Sequence, residues 1–175
     1  MKIILVMVTT ADGRTTMWHE PKVHGWSSPE DLAHFAKLKS EHHLLVMGKN
    51  TYTAIKKTIT PSSTLRRIVM TSTPEDFQTE TVQGQLEFTA ETPEALTQRM
   101  TAEGYESMLL VGGSQLNRSF LAGKLINECY LTIEPKFFGS GNNLFAPVDV
   151  DVSLQLISVT KLNNKGTLLM HYKVI

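Results

Sequence analysis

Two short apolar runs in this chain end on glycine and pass straight into segments with helical character. They are Val46-Met47-Gly48-Lys49-Asn50-Thr51 and Leu110-Val111-Gly112-Gly113-Ser114-Gln115. Apolar runs this short, bounded by turn residues, read as strands buried on both faces, and such strands belong to parallel sheets covered by helices. A glycine at the junction lets the chain turn and brings backbone N–H groups up to a ligand at a helix N-terminus, a geometry that suits phosphate. Either turn alone is equally an ordinary strand-to-helix connection that uses glycine for its backbone angles. The pair, with Lys49 beside the first, points to a dinucleotide gripped at two places.

The remaining punctuation extends the same pattern. Ile3 to Val8 reads as a buried strand, and Thr9 to Ser27, with Asp12-Gly13, Pro21, Gly25, Trp18 and Trp26, as a long loop. Loops of that length in compact domains are often functional. Ser28-Pro29-Glu30-Asp31 starts a helix, with serine as cap, proline at the first position and acids in the first turn. It runs to about Glu41, followed by a strand over 43–47 and a short helix from Lys49 to about Lys57. Strands are predicted over 67–71, 86–89 and 108–111, with helices from Thr92-Pro93-Glu94 to near Gly104 and from Ser114 to about Leu121. A strand begins over 128–133. Two alternating runs, 154–160 and 168–174, close the chain around the hairpin turn Asn163-Asn164-Lys165-Gly166. The order predicts an α/β fold of one domain over 1–175: a mostly parallel central sheet, helices on both faces and an antiparallel C-terminal hairpin. In such folds ligands sit at the carboxyl ends of the strands, where both glycine turns and Asp12 fall.

Composition narrows the function. Seventeen basic residues balance seventeen acidic ones in 175 residues, so no net field recruits nucleic acid or a membrane surface. The single cysteine, Cys129, allows neither an internal disulfide nor a cysteine-rich zinc site. The apolar run after Lys2 is too short for a signal peptide or a membrane span, which predicts a cytoplasmic protein. Gly48-Lys49 lacks the upstream glycine of a P-loop, and Gly139-Ser140-Gly141 opens no helix and lacks a third glycine. The histidines show no metal-ligand spacing, so no metal is expected.

Asp31, Phe35 and Leu38 are spaced to share one helix face, and the two apolar residues mark that face as inward. Burial there would raise the Asp31 carboxyl pKa and suit it to proton donation. The same residue also suits a first-turn acid completing a cap with Ser28, and periodicity alone leaves both roles open. Glu30 falls off this face. Asp12, in Thr10-Ala11-Asp12-Gly13, is a second candidate acid, although Asp-Gly is also a common turn. Lys49 sits at a helix start where a cation opposes the macrodipole, a conflict that an anionic ligand resolves. Thr71 and Ser72, at another strand end, are hydroxyl donors of the kind that hold a ribose phosphate.

Taken in order, these segments resemble the dihydrofolate-reductase-like fold, with its three α/β/α layers. They are closest to the branch holding the reductase half of the riboflavin-pathway deaminase–reductase. Thr10-Ala11-Asp12-Gly13 resembles that branch's Ser-Leu-Asp-Gly turn. Trp26-Ser27-Ser28-Pro29-Glu30-Asp31 and Phe35 resemble the acid-bearing helix of dihydrofolate reductases, and Met47-Gly48-Lys49-Asn50-Thr51-Tyr52 their Met-Gly-Arg-x-Thr-Trp. Val111-Gly112-Gly113 resembles the paired pyrophosphate glycines, and Leu131-Thr132 through Leu144-Phe145 the strand and loop that close the site.

The resemblance implies an NADPH-dependent reductase. Gly48, Lys49, Asn50, Thr51, Thr71 and Ser72 would hold the adenosine and its 2′-phosphate. Gly112, Gly113, Ser114 and Gln115 would hold the pyrophosphate, and the Val8 backbone would meet the nicotinamide. Thr10, Asp12, Trp26, Asp31 and Phe35 would line the substrate side, with Asp31 and Asp12 as candidate acids. It also implies a small-molecule substrate, a phosphorylated pyrimidine or pteridine, and a homodimer. Some positions depart from each branch. Val111 stands where the riboflavin branch has Glu, and Asn127-Glu128-Cys129 where it has Asp-Glu-Leu. Gly25 stands where dihydrofolate reductases have Pro, and Leu65, next to Arg66, where they have an arginine for the folate tail. Dihydrofolate reductase and a non-catalytic nucleotide-binding module are the alternative readings.

Overall fold

The computed structural model describes residues 1–18 and 25–175, so Pro21, part of the predicted long loop, lies outside the described residues. The strands are β1 (Lys2–Thr10), β2 (Leu44–Gly48), β3 (Arg66–Met70), β4 (Leu86–Thr89), β5 (Ser107–Leu110), β6 (Glu128–Glu134), β7 (Leu154–Lys161) and β8 (Leu168–Val174). The helices are α1 (Pro29–Glu41), α2 (Lys49–Ile55), α3 (Pro93–Ala102) and α4 (Ser114–Ala122), with 3-10 turns over Lys56–Thr58 and Pro74–Glu80.

One eight-stranded sheet has the order β4-β3-β2-β5-β1-β6-β8-β7. Its first six strands are parallel, while β8 runs antiparallel to both β6 and β7. Alternation along the strands divides the core between two faces. Ile3 and Leu5 of β1 pack with Leu96 and Met100 of α3 and Phe120 of α4. Ile4 packs with Leu38 of α1 and Tyr52 of α2. The result is the three-layer α/β/α arrangement that the sequence order predicts, with an antiparallel C-terminal pair. Cys129 is buried in the first cluster, and burial pushes its thiol up to about 12.

The boundaries differ from the predicted ones in three informative places. β1 continues past Val8 to Thr10 because Thr10 finds a register partner in Glu134. For the same reason β6 extends one residue beyond Ile133. α2 stops at Ile55, whose carbonyl accepts the Thr58 hydroxyl at 2.8 Å, and the chain tightens into a 3-10 turn.

Beyond β1, residues 11–16 are clasped to the loop after β6. The Ala11 amide donates to the Lys136 carbonyl at 2.9 Å and the Thr15 amide to the Asn142 carbonyl at 2.8 Å. The Asn142 amide returns a bond to the Thr16 hydroxyl at 2.8 Å. Gly141, at φ +135°, presses against this seam so closely that a Cβ would lie 1.9 Å from the Thr16 carbonyl oxygen. Gly139 has φ +72° but open space around it. Gly141→Ala should therefore destabilise the protein by at least about 2 kcal/mol and Gly139→Ala by roughly 1 kcal/mol, compared by urea unfolding. Equal effects would mean that the seam yields without cost.

Candidate functional site

The two glycine turns meet at one end of the sheet. The Gly48 amide donates to the Gly112 carbonyl at 2.8 Å, and the Val111 amide to the Val46 carbonyl at 3.0 Å. α2 and α4 thus begin side by side. Neither N-terminus has a side-chain cap, because the cap residues are Gly48 and Gly113. Their first N–H groups are left for solvent or for a ligand. The approach is tight: a Cβ on Gly113 would lie 3.3 Å from the Thr51 hydroxyl, and one on Gly112, at φ +90°, 3.1 Å from the Met7 sulfur.

These turns wall a cleft of about 650 Å³. Gly48, Lys49, Asn50 and Thr51 line one side, Thr71 and Ser72 the end of β3, and Gly113, Ser114 and Gln115 the other side. Met7, Thr15, Thr16 and Asn142 close it toward β1 and the clasped loop. Of the residues assigned to a cofactor by resemblance, Gly112 contributes its carbonyl to the turn rather than a cleft wall. Val8 lies on β1 in register with Thr132, one residue beyond the cleft-lining Met7, and does not itself line the cleft.

Among the described residues the cleft holds two cations, Lys49 and Arg118, and one acid, Glu91. Glu91 brings no free charge, because Arg99 approaches it from Nε at 3.0 Å and Nη2 at 2.6 Å, and the Thr89 hydroxyl donates at 2.9 Å. The Arg99 guanidinium holds the Glu91 carboxyl below the usual range. Arg118 escapes the sequence reading, although it falls one helical turn after Ser114 and so over the same end of the cleft.

The remaining candidates lie on the α1 side of β1 and β6, outside the cleft lining. Asp31 is half-buried, and its amide donates to the Ser28 hydroxyl at 3.3 Å, so the cap forms. Its side chain nevertheless faces the sheet. Burial pushes its carboxyl up, the charge of Glu134 adds to that, and bonds with the Thr132 and Ser27 hydroxyls oppose it. The inward and capping roles therefore coexist in one residue, the cap being made by the backbone of Asp31. Trp26 is buried with its ring 5.1 Å from Phe138, edge to face, and its carbonyl accepts the Lys136 ammonium. Phe35 is half-buried under the Lys39 ammonium, 4.8 Å from the ring centroid.

Asp12 has a different setting. It accepts the Thr10 hydroxyl, the Phe138 amide at 3.2 Å and the Gly139 amide at 2.8 Å. The Thr10 bond, with the two amides, holds the Asp12 carboxyl below its ordinary value. Its oxygens fasten the loop after β6. Glu134, a fully buried carboxylate that the sequence reading omits, sits two residues beyond Thr132 on the same face of β6. Strand alternation would have marked it, but the predicted strand over 128–133 ends one residue short of it. Arg66, adjacent to Leu65, is tied to Glu87 and Glu103, while Leu65 is buried in the core.

Among the described residues no helix is long and apolar enough to cross a membrane. The model of the RibD C-terminal domain family matches residues 1–168. An uncharacterized protein of Bacillus subtilis strain 168, YwjB, is 30% identical over 125 residues, spanning 70% of this chain and 65% of that protein. A pyrimidine reductase-like protein of Corynebacterium diphtheriae superposes with TM-score 0.80 at 14% identity, covering 99% of this chain and 92% of that one. A Thermotoga maritima diaminohydroxyphosphoribosylaminopyrimidine deaminase/5-amino-6-(5-phosphoribosylamino)uracil reductase gives TM-score 0.77 at 14% identity. Here 99% of this chain matches 56% of the longer one. At these identities the structural matches speak for the fold.

The raised Asp31 carboxyl has a consequence for stability. Its folded pKa lies above its unfolded one, so ionising it opposes folding. That cost is absent below the unfolded value and complete above the folded one. The stability of the wild type relative to Asp31→Asn should therefore fall as pH rises through that window, read by urea unfolding at a series of pH values. A pH-independent difference would show that the carboxyl titrates as it does in the unfolded chain.

Proposed function

The chain belongs to the RibD C-terminal domain family, and on that premise we propose that it is an NADPH-dependent reductase. Its substrate is the ring-opened ribosylamine of a phosphorylated aminopyrimidine, reduced at the sugar C1′. The observation that carries this reading is the pair of uncapped helix N-termini facing one cleft, with Lys49 and Arg118 beside them. Exposed N–H groups and two cations around a cavity with a neutralised acid suit a ligand bearing several phosphates.

The donor set fits the cofactor. Lys49, Asn50, Thr71 and Ser72 would hold the adenosine and its 2′-phosphate, with Arg118 as a further cation. Gly113, Ser114 and Gln115 would hold the pyrophosphate through backbone N–H groups. NADPH bound there supplies a hydride. The work of the protein is alignment and proton supply. The Val8 backbone would orient the nicotinamide, and Trp26 and Phe35 would pack the substrate. Asp31, desolvated beside Thr132, would hold a proton toward the reacting group. Asp12 would shape the site by fastening the loop after β6, with Thr10 as its partner.

Dihydrofolate is the poorer substrate. Arg66 is committed to two carboxylates and Leu65 is in the core, so neither offers a guanidinium to a dicarboxylate tail. The deciding assay follows loss of the reduced nicotinamide absorbance with each candidate substrate. Turnover with the ribosylamine and none with dihydrofolate is expected. No turnover with either, at full NADPH affinity, would favour a non-catalytic nucleotide-binding module.

Two variants test the parts separately. Lys49→Ala should weaken NADPH binding roughly tenfold to a hundredfold while changing NADH binding little, the magnitude of one charge-assisted contact, as measured by calorimetric titration. Asp31→Asn should bind NADPH normally and lose at least about tenfold in turnover, or about 1.4 kcal/mol of barrier. Unchanged turnover would remove Asp31 from the chemistry.

A further inference from the structure

The hydrogen-bond directions around Glu134 can be worked out from donors that have no choice. The side-chain oxygen of Asn163, in the turn between β7 and β8, accepts the backbone amides of Lys165 at 3.0 Å and Thr167 at 3.2 Å. Backbone N–H groups only donate, so this end of the Asn163 amide is the oxygen, and its NH2 end faces the Thr167 hydroxyl and Glu30, both at 3.0 Å. The Thr167 oxygen therefore accepts from Asn163, and its own proton goes to Glu134 Oε2, 2.8 Å away. Glu134 Oε1 accepts the Ser28 amide at 2.6 Å. Both oxygens of a side chain only 3% exposed thus receive fixed donors, the pattern that suits an ionised carboxylate.

We propose that Glu134 is a positioning residue for Asp31: it anchors the first turn of α1 through Ser28 and keeps a fixed negative charge beside the Asp31 carboxyl. The Ser28 hydroxyl in turn accepts the Asp31 amide at 3.3 Å, so the hold of Glu134 on the Ser28 amide fixes where the first turn of α1 sets the Asp31 carboxyl. Asn163 and Thr167 make the β7–β8 turn part of this arrangement, although it lies far from the cofactor cleft in sequence.

The other charged groups near the pair come from each packed element. Glu30 on α1 is exposed and bound by Asn163, with Lys165 beside it. His34 lies one turn further along α1 against Tyr130. Lys136, just beyond β6, donates to the Trp26 carbonyl, and Asp12 is engaged by the clasped loop. None of these bonds reaches either oxygen of Glu134.

This inference rests on the proposed role of Asp31 as proton holder, yet its test needs no substrate. Carbon-13 NMR of the side-chain carboxyls would follow Asp31 and Glu134 through a pH titration of the wild type, Glu134→Gln and Thr167→Val. In Glu134→Gln the Asp31 midpoint should fall as the neighbouring carboxylate is removed. Thr167→Val, which keeps the side-chain shape and removes one donor to Glu134, should also shift the Asp31 midpoint, because Glu134 is no longer fixed from that side. If Glu134→Gln does not fold, the Asp31 titration in Thr167→Val decides alone. An Asp31 midpoint unmoved in folded Glu134→Gln, or unmoved in Thr167→Val, would overturn the proposal. If the midpoints shift as expected but no candidate substrate is reduced, the carboxyl pair stands and the reductase reading fails.

Discussion

The Gly48 amide bonded to the Gly112 carbonyl is the contact on which the rest of the site depends. It draws the carboxyl ends of β2 and β5 together, so that α2 and α4 start side by side with no side chain covering their N–H groups. A side chain on Gly112 would meet Met7, and one on Gly113 would meet Thr51. The cleft exists because backbone, rather than side chains, forms its inner wall. Lys49 and Arg118 then act on a surface already suited to anions.

β1 separates two kinds of chemistry. Met7 faces the cleft, while the α1 side of the sheet carries Asp31, Thr132 and Glu134. Strand alternation places these groups on opposite faces within a few residues of one another. The polar end of β1 is tied down as well, because Asp12, held by the Thr10 hydroxyl, accepts the Phe138 and Gly139 amides of the loop after β6. In the proposed reading, nucleotide grip, proton holding and loop fastening fall to different residues.

Local signals in the chain were strong enough to determine the elements and their order. Serine, proline and two acids at Ser28-Pro29-Glu30-Asp31 start α1 wherever that helix packs, and apolar runs with glycine ends leave little alternative to buried parallel strands. The inward face of α1 was legible from Asp31, Phe35 and Leu38 by spacing. The cleft was legible as two glycine turns, together with Thr71 and Ser72.

Tertiary structure decided which polar groups meet. Asp12 could have been a free acid at a strand end, but Gly139, 127 residues away, takes one of its oxygens. Glu134 falls just past the strand predicted over 128–133, and its use emerges only when Ser28, 106 residues earlier, donates to it. Arg66 reads as a neighbour of a substrate-binding position until Glu87 and Glu103 claim it. Periodicity and capping act within one or two turns of a residue, so the sequence by itself could specify the elements and their faces. Hydrogen bonds and ion pairs between distant segments exist only after the sheet has brought those segments together, and only the folded structure could determine the use of each carboxylate and guanidinium.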